Sequence, residues 1–127
     1  MKRYQSLKGK KVFWEVLKKG RRFYEREIQI IVYHVVCSED FFYNSNNDTP
    51  LNLVKVGIQI QKKYGNSVKR NLAKRRIRAI CSELLRGVNN NFYIIIRPLE
   101  NFKNLKYEDT QNKMRMLFNK AGVTDSI

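Results

Sequence analysis

From residue 54 to residue 61 apolar and polar side chains alternate without a break: Val54, Val56, Ile58 and Ile60 fall on one side, Lys55, Gly57, Gln59 and Gln61 on the other. A period of two marks a strand with one face packed and the other open to water. The next residues are as restrictive. In Lys62-Lys63-Tyr64-Gly65-Asn66-Ser67 the strand ends, Gly65 permits a turn, and Asn66 or Ser67 can accept the free amides of a helix that starts near residue 67. At about 100° per residue, Ala73, Ile77, Ile80 and Leu84 then form a narrow apolar stripe. The middle of the chain is therefore a strand, a tight basic turn, and an amphipathic helix that lies back on a sheet.

The other segments supply the partners. Val12, Phe13, Val16 and Leu17 give residues 6–19 the stripe of a first helix, with Gly20 as its carboxyl cap. Residues 27–37 are rich in Ile and Val, whose branched side chains suit a pleated surface, and form a first strand. Residues 38–52 hold Asp40, Asn44, Asn46, Asn47, Asp48 and Pro50 and read as a long variable loop. Phe41, Phe42 and Tyr43 within it fit a loop tucked back onto the sheet, or else an exposed partner-binding cluster. Residues 92–96 are an apolar run of strand length, ended where Pro98 removes a donor. Met114, Leu117, Phe118 and Ala121 mark a last helix over 107–121, stopped by Gly122.

The order helix, strand, strand, helix, strand, helix predicts an α+β two-layer sandwich: about a four-stranded sheet with three helices, plus a short extra strand. At 127 residues, with no repeat or proline-rich linker, the chain is read as one domain over 1–127.

Charge narrows the function. Lysine and arginine number 26 against 11 acids, a formal +15, and such an excess repels itself until a polyanion neutralises it. The expected partner is nucleic acid. Between Asp48 and Glu83 there is no acid at all, yet the stretch carries Lys55, Lys62, Lys63, Lys69, Arg70, Lys74, Arg75, Arg76 and Arg78. A merely solvated helix face usually balances its bases with acids one turn away. Here Arg70, Asn71, Lys74, Arg75 and Arg78 gather beside the apolar stripe, while Lys62 and Lys63 flank the amides of the first turn, a ready anion site. Cations there oppose the helix dipole, a cost that an arriving polyanion removes. Such a pattern positions a phosphate backbone and does not spell a base sequence.

Several classes drop out. The longest apolar stretch, residues 30–37, is interrupted by His34 and is far too short to span a bilayer, and no apolar signal segment follows Met1, so a cytoplasmic protein without membrane contact is expected. Cys37 and Cys81 belong to no C-x-x-C pair and read as small core side chains. A protein nuclease would cluster carboxylates or histidines. The acid pairs are Glu39-Asp40 in the loop and Glu108-Asp109 at a helix start, where a cap role fits, and His34 stands alone in its strand. No residue of this chain is therefore assigned as catalytic or metal-binding.

Val56-Gly57-Ile58, the run from Lys62 through Asn71, then Lys74-Arg75 and Arg78, resemble the signature of the bacterial ribonuclease P protein family, including most of its RNR motif. Phe13 with Gly20, residues 93–98 and the last helix look similar too, so the likeness covers most of the chain outside 38–52. It departs at Leu72, where the motif has its second arginine, at Ser67 after the glycine-asparagine pair, and at Ala79, where an acid is common. The resemblance implies a ribosomal protein S5 domain 2-like fold. It also implies a protein subunit that helps a catalytic RNA to remove the 5′ leader from precursor transfer RNA. By that likeness Lys62, Lys63, Asn66, Lys69, Arg70, Asn71, Lys74, Arg75 and Arg78 would hold the RNA subunit, and Phe13, Tyr33, Lys55 and Gln59 the unpaired leader on the wet face of the sheet. Stacking on aromatic rings suits leaders of many sequences. The resemblance further implies Mg2+ held mainly by the RNA subunit and none by the protein alone, with ribonuclease P RNA and precursor transfer RNA as partners and no small-molecule substrate. The rival reading is a ribosomal or general structural RNA-binding protein without a cleavage role. The lysine-lysine-x-glycine-asparagine turn running straight into a basic helix argues against it.

Overall fold

The structure is a computed structural model that describes residues 5–34, 54–86, 88 and 92–124. Cys37, the Glu39-Asp40 pair and the loop with its three aromatics lie outside the described residues. Five strands, β1 (Gln5–Ser6), β2 (Arg21–Tyr24), β3 (Ile28–His34), β4 (Val54–Ile58) and β5 (Phe92–Pro98), form one sheet in the order β1-β4-β5-β3-β2. The helices are α1 (Lys10–Lys19), α2 (Ser67–Leu84) and α3 (Tyr107–Lys120). β1 and β5 run parallel to β4, whereas β3 is antiparallel to both β5 and β2. The sheet is mixed because consecutive parallel strands need a crossover, which α2 supplies between β4 and β5.

Helices cover both faces of the centre, which is why β3 and β5 carry apolar side chains on both faces at residues 30–32 and 92–96. On one face Ile30, Val56, Ile94 and Ile96 pack against Ile77 and Ile80 of α2 and Met114, Leu117 and Phe118 of α3. On the other, Val16 of α1 and Leu7 pack on Ile31, Tyr93 and Ile95. Burial of each such side chain contributes about 1.5–3 kcal/mol, so the α2–α3 side holds most of the stability. Cys81 is a fully buried member of that larger cluster, where burial pushes its thiol far up.

The α+β arrangement of three helices and a mixed sheet agrees with the sequence reading, and the boundaries differ in instructive ways. The first helix starts at Lys10, not at residue 6: Gln5 and Ser6 pair with Lys55 and Val56, and the Leu7 amide donates to the Val56 carbonyl at 2.9 Å, which holds these residues extended. Gly20 ends α1 by donating to the Val16 carbonyl at 2.7 Å. The short segment after it, Arg21–Tyr24, is the edge strand β2, stabilised by β3 more than by its own composition. β5 continues through Pro98, which sits at the last paired position opposite Ile28. A 3-10 turn, Glu100–Asn104, then drops Phe102 into the core beneath α2.

Candidate nucleic-acid interface

The basic edge is built by the connection from β4 to α2. After β4, Lys62–Tyr64 make one 3-10 turn that buries the Tyr64 ring and leaves Lys62 and Lys63 exposed. Lys103 donates to the Tyr64 carbonyl at 3.2 Å and anchors the turn from below. Burial holds the Tyr64 phenol above its usual value, although the Arg76 guanidinium pulls the other way. Gly65 has φ 155 and ψ −170, a conformation almost confined to glycine, and a side chain there would press on Lys69. Asn66 then caps α2, its Oδ1 accepting from the Lys69 amide at 3.0 Å. Of the two possible caps it is Asn66 that acts, so this residue first serves to start the helix.

Once the helix is fixed, its period sorts the cations. Arg70, Lys74 and Arg78, spaced by one turn, follow a single ridge beside the buried Ala73 and Ile77, with Asn71 and Arg75 farther out. Asn71, Arg75 and Arg78 are exposed, and Arg70 and Lys74 half-buried. The Arg70 Nε is shielded from solvent without a partner among the described residues. Lys69 does not join this ridge. It lies on the other flank, in a cleft of about 260 Å³ shared with Tyr64, Leu72, Arg76, Phe102 and Lys103. Leu72, in place of an arginine, is 56% exposed at the rim of that cleft and not covered by the fold. Arg76 is turned inward and donates to the Leu105 carbonyl at 2.8 Å.

Glu100 shares a cleft with Lys63 of the turn, whereas the other described carboxylates are engaged elsewhere or lie at helix ends. Glu15 pairs with Lys19 at 3.5 Å, and Glu25 and Glu27 hold Lys113 at 3.7 and 2.9 Å, with Lys120 also 3.3 Å from Glu25. Glu83 accepts from Gln111 of α3. Glu108 and Asp109 lie in the first turn of α3 without a side-chain capping bond, so they act on the helix dipole and not as caps. His34 is exposed at the end of β3, its ring centroid 4.9 Å from that of Phe92. Among the described residues no three of His, Cys, Asp and Glu come together.

The second group of candidates lies on the sheet face that carries α1. Phe13 lies directly on Gly57: a Cβ at that position would be 2.3 Å from the Phe13 Cζ. The face is thus only partly wet, for α1 crosses it over Gly57, Ile95 and Ile31. Register sets Lys55 and Tyr33 on either side of Tyr93 in one row, with the Lys55 Nζ 5.5 Å from the Tyr93 ring centroid. Gln59 falls on the far side of that crossing. It lines a cleft of about 540 Å³ with Lys63, Arg97 and Glu100, and so stands with the basic turn and not with Tyr33. Two contributors escaped the sequence reading. Tyr93 was hidden in an apolar run, and Arg97, whose Nη1 donates to Gln29 Oε1 at 3.2 Å, was read only as a strand end.

A basic edge beside a partly open sheet face fits many RNA-binding proteins, and comparison decides among them. A model of the Ribonuclease P family matches residues 1–122. This chain belongs to that family. The ribonuclease P protein component of Finegoldia magna is 28% identical over 106 residues, 84% of this chain and 80% of its relative. That of Streptococcus pyogenes is 28% identical over 114 residues, covering 90% and 83%. Among solved structures, the RNase P protein of Staphylococcus aureus superposes with a TM-score of 0.73 at 23% identity, covering 94% of this chain and 97% of the other. The RNase P protein of Thermotoga maritima superposes with 0.71 at 18%, covering 91% and 96%; both establish the fold. Family membership makes the chain a component of the endoribonuclease complex that processes transfer RNA 5′ ends together with an RNA subunit.

Proposed function

We propose that this ribonuclease P protein leaves hydrolysis to the RNA subunit and works by holding RNA at two places. Lys62 and Lys63 on the turn and Arg70, Asn71, Lys74, Arg75 and Arg78 along α2 would grip the RNA subunit. Their positive charge would let crowded phosphates approach and the RNA fold tightly. Asn66 contributes by fixing the helix start, and Lys69 would reach the same RNA from the other flank of α2. The observation that carries the reading is the ridge of Arg70, Lys74 and Arg78 on α2: among the described residues neither Arg70 nor Lys74 forms an ion pair with a carboxylate, while Glu15, Glu25 and Glu27 are held by Lys19, Lys113 and Lys120.

The leader of the precursor would lie on the face beside α1, with Phe13, Tyr33 and Lys55 as its first contacts and Gln59 nearer the turn. Tyr93 would back the Tyr33 side of that path. In this reading Mg2+ is held mainly by the RNA subunit; on the protein, Glu25 and Glu27 are engaged by Lys113. Localisation follows the partners, in the compartment that holds transfer RNA precursors, and no helix among the described residues is long and apolar enough to cross a membrane.

The test is reconstitution. Purified protein, a ribonuclease P RNA and a precursor transfer RNA are mixed at low magnesium, and a leader of the correct length is expected only when both macromolecules are present. Release by the protein without the RNA would overturn the division of labour.

A further inference from the structure

α1 carries a second, outward-facing aromatic. Val16 is its buried residue, Phe13 lies on the sheet, and Trp14, the chain's one tryptophan, lies next to Phe13 and about 200° round the helix from Val16, 58% exposed. A scattered exposed apolar side chain is ordinary. This one is not isolated. Lys10 and Lys18 lie one turn before and one turn after it, Lys11 lies beside it, and all three are exposed. The Lys18 Nζ is 4.8 Å from the centre of the indole, a cation over the ring face. Glu15, the only acid of the helix, points to the other flank and is paired with Lys19 at 3.5 Å. The ridge is thus an aromatic plate set in positive charge with no acid to oppose an anion.

We infer that this ridge is a stacking platform for single-stranded RNA, and that its occupant is the leader of the precursor beyond the segment held on the sheet. The inference rests on the proposed function and extends its leader path. Two observations favour that occupant. A base can stack on an indole only when its own face is free, which holds in single strands and not inside duplexes. Phe13 and Trp14 are also consecutive, so a strand leaving the sheet face beside Phe13 crosses α1 at the very residue whose ring faces outward. There Lys10, Lys11 and Lys18 would meet its phosphates while a base takes the ring face, and the Lys18 ammonium would move from the indole to the backbone.

Because the tryptophan is unique, its emission reports on the ridge directly. The protein is assembled with a ribonuclease P RNA and titrated with precursors of long leader, of short leader, and with mature transfer RNA. Quenching is expected with the long leader and not with mature transfer RNA. Trp14→Ala should weaken binding of the long-leader precursor about 5- to 150-fold, the range for one stacked base, leave mature transfer RNA unaffected, and keep the thermal midpoint. Trp14→Phe should recover part of the loss. Several results would overturn the inference: full quenching on adding the RNA subunit alone, which would place the ridge against that subunit; quenching that depends only on protein concentration, which would make it a contact between copies; or unchanged emission although the long leader improves binding. If the leader improves binding for no precursor, the leader role of the sheet face fails together with the inference.

Discussion

The contact between Phe13 and Gly57 offers a direct test of how α1 is seated. Replacing Gly57 with alanine would set a methyl group 2.3 Å from Phe13 Cζ, and 2.9 and 3.1 Å from Cε2 and Cε1. All three atoms belong to a rigid ring on a helix, so the ring and α1 must shift together. Overpacking of this kind costs about 1–3 kcal/mol. Removing the ring first should abolish most of that cost. In a Phe13→Ala background the space above the strand is empty, and alanine in place of glycine can even contribute about 0.5–1 kcal/mol by restricting the unfolded chain. Guanidinium unfolding of wild type, the two single variants and the double variant gives the coupling energy from the midpoints at a common slope. A favourable coupling of at least about 1 kcal/mol is expected. Equal costs of Gly57→Ala in both backgrounds would refute the packing argument, and with it the claim that α1 is held against β4 by this ring.

Asn66→Ala should cost about 1 kcal/mol of stability through loss of the cap, whereas Asn66→Asp should keep the cap and still weaken RNA binding through its charge; paired melting and binding assays separate the two. Arg75→Ala should leave stability within about 0.5 kcal/mol and lower the salt slope of RNA binding by about 1, since the residue is exposed; a large drop in melting temperature would contradict its placement. The Lys113 ammonium is held above its usual value, first by its bond to Glu27 and then by attraction to Glu27 and Glu25. A raised folded value gives stability that is complete below the unfolded value, about 10.4, and lost as the pH rises through the folded one. Lys113→Met should therefore be less stable by up to about 1 kcal/mol at neutral pH, with the difference closing in strongly alkaline buffer.

The legible parts of the fold were those whose signal is local. The alternation of Val54, Val56 and Ile58, the turn at Gly65-Asn66 and the stripe of Ala73, Ile77 and Ile80 are each visible within one or two turns of chain, and the structure places them as β4, the capped start and the buried face of α2. The basic ridge followed from the same helical phase. What stayed hidden depends on register between distant strands. Gln5–Ser6 and Arg21–Tyr24 have little strand character of their own and become strands because β4 and β3 offer them free edges. Likewise the meeting of Tyr93 with Lys55 and Tyr33, and the placing of Gln59 with Lys63 away from them, are set by how β5 lies between β4 and β3. The bond of Arg76 to the Leu105 carbonyl needs a turn, Glu100–Asn104, that no periodic pattern announces.

The most direct measurement of the central claim is the affinity of the protein for its RNA subunit across a series of salt concentrations. With Lys62, Lys63, Lys69, Arg70, Lys74, Arg75 and Arg78 engaged, the contacts fall in the range where affinity drops by about 10³- to 10⁵-fold between 50 and 200 mM salt. Replacing Lys62, Lys63, Lys74 and Arg75 together with alanine should flatten that line markedly while the domain still melts cooperatively. An affinity indifferent to salt, or an unchanged slope in the fourfold variant, would contradict the account.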